Sequence, residues 1–325
     1  MFSGKVRLDP FILSLIAVVA LATLAPARGT FAHALSIAVD VSIVALFFVH
    51  GLKTPWRAIY DGVNNPRLHT LILSGSFLLF PAMGLFFFHA FKGLIGEQLA
   101  TGLLFLSCLP STVQSSIAFT SIARGNVPGA ICAASLSNLL GVIITPVLVA
   151  LLLSKHASVS WQSVLIIIGQ IVAPFALGQI LQRFWTPAFL RKKTITFVID
   201  RGSVLLMVYA AFSKSVVQGI WNRVSPQELA LLFVVAALML AVILFAMRSA
   251  SIRLGLSKED EIAAVFCGSK KSLITGVPIA NVLFAGATAG AVILPLMIFH
   301  QLQLFVCAML AGRYAQRADA SQAAK

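Results

Sequence analysis

The chain has 325 residues, of which 59% are hydrophobic and 10% charged, with a formal net charge of +14. That balance excludes an ordinary soluble domain and fits a polytopic membrane protein. The basic residues lie in short loops between apolar runs, not on a patch interleaved with exposed aromatics, so the charge is an orientation signal and nucleic-acid binding is excluded.

Lys5 and Arg7 precede the first apolar run, and Ala25-Pro26-Ala27 follows it. This has the outline of a secretory signal, but an internal repeat that needs a partner for the run makes it a first membrane helix. Runs of about 20 apolar residues then predict ten spans: 11–25, 34–52, 68–91, 98–123, 127–153, 161–181, 196–220, 226–250, 261–284 and 289–311. The sequence predicts an all-α polytopic fold with no soluble domain between the spans.

Orientation follows from the 24 lysines and arginines. Arg28, Lys92, Lys155 and Arg223 fall on one side, and Lys214, Lys270 and Lys271 lie within spans. The remaining 17 collect on the other side, which predicts cytoplasmic termini, in a bacterial inner membrane. The first five spans and the last five are offset by roughly 150 to 163 residues, giving repeats at about 8–155 and about 160–313. Five is odd, so the second repeat is inverted, a plan that places a solute site near the midplane between discontinuous helices.

Spans four and nine hold matching positions, and both look interrupted. One carries Pro110-Ser111-Thr112-Val113-Gln114-Ser115-Ser116, the other Gly268-Ser269-Lys270-Lys271-Ser272 and onward to Gly276. Adjacent lysines inside a span are costly and face protein or a water-filled path. Unwound backbone is tolerated only where it is buried in protein or lines a cavity. The reading is a broken-helix crossing, with Thr112, Gln114, Ser115, Ser116, Ser269, Lys270, Lys271 and Ser272 as candidate substrate or ion residues. Interhelical glue is the alternative for any single polar run.

Asp40 and Lys214 lie about six residues from the outer ends of spans two and seven. At about 1.5 Å per residue they share a depth, which predicts an ion pair; snorkelling of Lys214 to the interface is the alternative. His300 and Gln301 open a polar patch with Gln303 in span ten. Gln170 and Gln179 flank Pro174, and Asn281 follows the second break. Each has interhelical glue as its plainer reading. Cys108, Cys132, Cys267 and Cys307 all sit in apolar runs without a CxxC pair, and the histidines show no metal-ligand spacing. No HExxH, phosphate loop, catalytic triad or paired intramembrane carboxylate suggests an enzyme.

Several runs resemble the bile acid:sodium symporter superfamily, in the SBF-like branch typified by the seventh member of human solute carrier family 10 and its bacterial relatives. They are Cys108-Leu109-Pro110, Ala123-Arg124-Gly125-Asn126-Val127, Ser137-Asn138-Leu139-Leu140-Gly141, Thr145-Pro146, Phe266-Cys267-Gly268-Ser269-Lys270-Lys271-Ser272 and His300-Gln301. The resemblance covers nearly the whole chain. It implies a panel of helices 11–25, 34–52, 161–181 and 196–220. It implies a core of helices 68–91, 98–123, 127–153, 226–250, 261–284 and 289–311. Breaks in spans four and nine cross, two sodium ions sit behind the crossing in sodium-coupled members, and an amphipathic organic anion binds between core and panel.

This sequence departs from the sodium-coupled pattern. A Ser-Asn pair reads Ser115-Ser116 here, hydroxyl-bearing positions fall at Ala130 and Ala134, the glutamate position falls at Phe266, and the glutamine position at Lys270. None of the ten acidic residues lies in either break. Lys270 or Lys271 is therefore expected to supply the charge that sodium supplies elsewhere, donating to Ser111, Gln114, Ser115, Ser116 or unwound carbonyls. Direct anion binding and a structural pair are the alternatives. Ser135, Ser137, Asn138 and backbone carbonyls are left as a weakened sodium site. The coupling ion is Na+ or H+, and no other cofactor is expected.

Three functions compete at this level. The first is a secondary transporter of an organic anion or amphipath by alternating access, and the second a sodium symporter with a weakened site. The third is a non-transporting regulator of ion, for example calcium, homeostasis on the same fold.

Overall fold

The computed structural model describes residues 10–53, 65–153, 168–190, 198–219, 224–284 and 288–323. All regular structure among them is helical: α1 Pro10–Leu24, α2 Gly29–Lys53, α3 Pro66–Ile95, α4 Glu97–Ser107, α5 Gln114–Ile122 and α6 Val127–Leu153. Then come α7 Ala173–Leu190, α8 Ser203–Val217, α9 Pro226–Arg253, α10 Lys258–Gly268, α11 Leu273–Leu283 and α12 Thr288–Ala323. Single π-turns widen α3 at Gly75–Leu79 and precede α7 and α8 at Ile168–Val172 and Val198–Gly202.

Among the described residues, six helical stretches are long and apolar enough to cross a membrane: α2, α3, α6, α9, α10 with α11, and α12. Their outward side chains fit a hydrocarbon surround. Along α9, Leu238, Val242 and Phe245 are 47%, 41% and 73% exposed, an apolar stripe that water would not tolerate. On α3, Phe86 faces outward while Phe87 and Phe88 are buried. The span expected at 161–181 is described only from Ile168, and α7 runs on to Leu190.

Local chemistry sets the helix starts. Asn65 caps α3 ahead of Pro66, and Ser257 caps α10. Ser225 and Glu228 form a reciprocal capping box at α9. The Ala123-Arg124-Gly125-Asn126 corner is a Schellman turn: Arg124 adopts φ +58°, Gly125 N–H reaches Thr120 O at 2.8 Å, and Arg124 N–H reaches Ser121 O at 3.1 Å. A Cβ at Gly125 would stand 2.5 Å from the Ile262 side chain, so the corner needs glycine to lie against α10. Asn126 then caps α6 through the N–H of Gly129 at 2.8 Å.

Packing divides the helices. α2 lies against α7 and α8, and α1 against α8. Gly51 of α2 and Gly178 of α7 face each other so closely that a Cβ on either would collide with backbone. Gln179 and Gln182 of α7 donate to Gly51 O and Leu52 O at 2.5 and 3.0 Å, closing the C-terminal carbonyls of α2, so Gln179 is indeed interhelical glue. The other helices pack around α4, α10 and α12; α8 also packs against α11 and α12, and one apolar cluster runs through both groups.

The expected Asp40–Lys214 pair is not formed. Both side chains are exposed and no ion pair joins them. At the depth of Asp40 the inward residues of α2 are Leu35, Val39 and Ile43, and Asp40, one residue on from Val39, is turned about 100° from them around the axis. Shared depth does not fix direction around a helix axis. The charge pairing at α2 is instead Lys53 with Asp200, at 2.5 Å.

Candidate functional site

Both expected interruptions exist, and both are shorter than the polar runs suggest. The first spans 108–113, so Gln114, Ser115 and Ser116 already belong to α5; the second spans 269–272, so Leu273 to Gly276 belong to α11. The breaks bond to each other. Ser272 N–H donates to Pro110 O at 2.9 Å, Ser111 Oγ to Cys267 O at 2.5 Å, and Ser116 Oγ to Phe266 O at 3.1 Å. Helix α6 clamps the crossing from behind. Ser137 Oγ accepts from Ser111 N–H at 3.0 Å, Asn138 Nδ2 donates to Ser111 O at 2.8 Å, and Thr145 donates to Cys108 O at 2.9 Å. The unwound backbone is thus satisfied inside protein, as a low-dielectric surround requires.

The two lysines are both fully buried, and they differ. Lys271 Nζ donates to three backbone carbonyls, Ser76 O at 2.8 Å, Ser107 O at 2.8 Å and Leu109 O at 2.7 Å. All three ammonium protons are used. The Phe80 ring lies 4.1 Å away on another side. The π-turn of α3 contains Ser76, and such bulges often occur where a helix makes a special contact. Gln303 of α12 fixes the backbone of Lys271, its Oε1 accepting from Lys271 N–H and its Nε2 donating to Lys271 O, each at 2.9 Å.

Lys270 Nζ has no hydrogen-bond acceptor among the described residues. It lies 4.0 Å over the ring of Phe119 and 5.6 Å from that of Phe266, beside a small cluster that includes Cys307, Ala311 and Tyr314. A desolvated cation over an aromatic face gains about 2 kcal/mol. That is less than the several kcal/mol a buried, unpaired ammonium costs. The hydroxyls expected to receive the lysines are engaged elsewhere. Thr112 Oγ1 bonds the hydroxyls of Ser115 and Ser116 at 2.8 and 2.9 Å, and Ser111 Oγ donates to Cys267 O at 2.5 Å.

In front of the crossing lies a cavity of about 1280 Å³. Its floor holds the first residues of both half-helices, Gln114 and Ser115 of α5 and Leu273, Ile274 and Thr275 of α11, with Thr112, Ser135, Asn138, Ser272, His300 and Gln301. Phe47, Phe119, Phe175 and Leu304 form apolar walls. Of the expected site residues, Ser116, Ser269, Lys270 and Lys271 do not line it. Direct capture of a cavity ligand by either lysine is therefore absent from this conformation. His300 joins floor to lysine loop, with Nδ1 2.8 Å from Gln303 Nε2 and 3.4 Å from Lys271 O.

Sequence reasoning missed a second anchor. Asp260, in the first turn of α10, accepts from Asn126 Nδ2 at 2.7 Å and Asn65 Nδ2 at 2.9 Å, while its own N–H donates to Ser257 Oγ at 3.1 Å. One carboxylate ties the caps of α3, α6 and α10 together. The signal was an Asn-Pro start at 65–66 and an Asn-Val-Pro start at 126–128, two caps seeking a shared acceptor. Among the described residues no cluster of three or more His, Cys, Asp or Glu could hold a metal ion.

The sequence profile of the SBF-like CPA transporter family matches residues 9–316. An uncharacterized protein of Pseudomonas aeruginosa is 49% identical over 321 residues, covering 97% of this chain and 96% of that protein. An Escherichia coli protein named "Putative symporter YfeH" is 45% identical over 318 residues, 97% of this chain and 96% of its own. Sodium/bile acid cotransporter 7 of Rattus norvegicus is 28% identical over 316 residues, covering 94% and 92% respectively.

Proposed function

The chain belongs to the SBF-like CPA transporter family, and from that premise we propose that it is a secondary active transporter moving an amphipathic organic anion by alternating access. The observation that carries this reading is the cavity in front of the crossing. Its floor joins two half-helix N-termini to hydroxyl, amide and imidazole groups. Helix N-termini favour negative charge, and the aromatic walls suit an apolar body. The chemistry named for the rat relative, a bile acid, has that shape.

In this reading ten spans form two inverted repeats, about 8–155 and about 160–313, in a bacterial inner membrane with both termini cytoplasmic. Helices α1, α2, α7 and α8 are the panel and the rest the core. Support comes from the mutual packing of α1, α2, α7 and α8, and from the crossing being bonded wholly within the other set.

Lys271 supplies, within the crossing, the positive charge that sodium supplies in sodium-coupled relatives. Its three carbonyl acceptors are the kind of ligands sodium takes, and neither break holds a carboxylate to neutralise an additional cation. Sodium and the proton are the two candidates for the co-transported ion.

The test is uptake of taurocholate and of a long-chain carboxylate into proteoliposomes, with sodium or choline outside and with or without an inward proton gradient. Saturable uptake that falls at least about tenfold in Asn138→Leu or Gln114→Leu is expected, because these variants strip the polar floor. Absence of uptake, with no shift of the unfolding midpoint by any amphipathic anion, would overturn transport in favour of a membrane regulator.

A further inference from the structure

The crossing gives Lys271 a task and leaves Lys270 without one. Lys271 spends all three ammonium protons on carbonyls, whereas Lys270 Nζ has no acceptor among the described residues. The Lys270 side chain is wholly buried, beside a small apolar cluster separate from the main core. The titratable groups that face it are the thiols of Cys267 on α10 and Cys307 on α12. A thiol is a weak acceptor. Tyr314 of the same cluster gives its hydroxyl to Glu261 at 3.1 Å, and Lys258 and Arg248 pair with that carboxylate. Leu244 of α9 packs on the cluster, and α5 contributes Phe119 and no charged residue.

One aromatic ring belongs both to this site and to the cavity. Phe119 lines the cavity, and its ring lies 4.0 Å from Lys270 Nζ. It stands on α5 five residues after Gln114 of the floor, and it is only partly buried. Turning one partly buried side chain is a fast local motion, and here it would bring cavity water to the amine. A neutral amine loses little by being sealed away from water, whereas an ammonium without an acceptor loses a great deal. A group that suits one protonation state when shut, and either when wetted, is built to load and unload a proton.

We propose that Lys270 is a proton-binding site, loaded from the cavity past Phe119, whose ammonium and a cavity anion hold each other so that proton and anion are carried together. The inference rests on the proposed transport reading and commits it to one of the two candidate ions. The Nζ lone pair takes a proton from cavity water on one side of the membrane and returns it to cavity water on the other, and no other bond is made or broken. Coupling is reciprocal: an anion that binds better beside the ammonium tightens the hold of the amine on its proton by the same factor. Lys271 cannot share this task while its three protons are held by carbonyls.

The experiment measures taurocholate binding to the full chain in phosphatidylcholine nanodiscs from about pH 6 to about pH 9. Taurocholate is a sulfonate that stays anionic throughout, and hexadecanesulfonate serves as the second probe. Calorimetry in two buffers of different ionisation enthalpy reads the protons taken up with each anion. The parent should take up a fraction of a proton, and its Kd should rise at least about tenfold with pH, as for two unit charges within about 10 Å at an effective dielectric of about 20. Lys270→Arg stays charged and should bind tightly at every pH without proton uptake. Lys270→Met should bind weakly at every pH, also without uptake. A purely structural lysine would not split the two variants in this way. Phe119→Ala keeps the lysine and opens its path, so Lys270 should react several-fold faster than in the parent with a water-soluble amine reagent, read by peptide mass.

Anion binding without proton uptake in the parent overturns the lysine site and leaves the amphipathic-anion reading intact. Binding that stays pH-dependent in Lys270→Met assigns the proton to another group, such as His300, and overturns it equally. Equal labelling of Lys270 in the parent and in Phe119→Ala overturns the route past the ring. Failure of both sulfonates to bind overturns the anion-transport reading together with this one.

Discussion

Gln303 on α12 brackets the peptide of Lys271, accepting from its N–H and donating to its carbonyl, both at 2.9 Å. One fully buried amide thus satisfies both main-chain groups of a residue that has left its helix. Gln303→Leu removes both partners without removing the groups they serve. Each stranded group costs about 1–3 kcal/mol, so the variant is expected to lose at least about 2 kcal/mol and to lose transport. Gln303→Glu keeps the acceptor and should fall between. Thermal unfolding of the three proteins checks the order; a leucine variant as stable as the parent would show the loop is held by other means.

The two lysines should respond oppositely to methionine. Lys271→Met strands the carbonyls of Ser76, Ser107 and Leu109, and is expected to cost about 3–5 kcal/mol, the range for breaking a buried charged network. Lys270→Met removes an ammonium with no acceptor and places a flexible apolar chain against Phe119 and Phe266. Stability should be unchanged or raised, while transport falls if the cation serves the cycle. Equal destabilisation by both changes would sink the distinction between them.

The breaks, the lysine pair and the polar floor were legible in sequence because each sets polar residues in an apolar run, which membranes rarely permit without cause. The acceptors of Lys271 were not, because a carbonyl has no signature in sequence: Ser76, Ser107 and Leu109 act through their backbone. The Asp40–Lys214 expectation failed for a related reason. Counting residues gives depth along an axis, but only packing decides which way each side chain faces. The extent of the breaks was overestimated because Gln114 to Ser116 are polar yet helical, the hydroxyls of Ser115 and Ser116 bonded to Thr112 within about one turn and that of Ser116 also to Phe266 O.

Asp260 should be energetically coupled to the helix caps it serves. Asp260→Ala frees the amides of Asn65 and Asn126, and Asn126→Ala also removes the cap on Gly129 N–H. A lost N-cap costs about 1 kcal/mol, and hydrogen bonds to a charged group are worth about 1.5–3 kcal/mol. Each single change is expected to cost about 2–3 kcal/mol, and the double change less than their sum by at least about 1 kcal/mol. Unfolding of the four proteins in a double-mutant cycle reads the coupling directly. Strict additivity would mean that the carboxylate and the cap act separately.

If Lys271 holds the place of a bound cation, the parent protein should not distinguish sodium from potassium or choline at constant ionic strength. An ion at a hundred times its Kd would add about 2.7 kcal/mol to stability, which is readily seen. Lys271→Ala opens a space walled by three carbonyl oxygens and the face of Phe80. Oxygen ligands and an aromatic face both attract a small cation, so this variant is expected to gain a saturable stabilisation by ammonium or sodium, partly restoring the parent midpoint. A sodium-specific rise in the parent would mean that a sodium site survives beside the lysine. Lack of any cation response in the alanine variant would mean that the three carbonyls close on each other once the ammonium is gone, and that Lys271 is a structural strut rather than a stand-in for an ion.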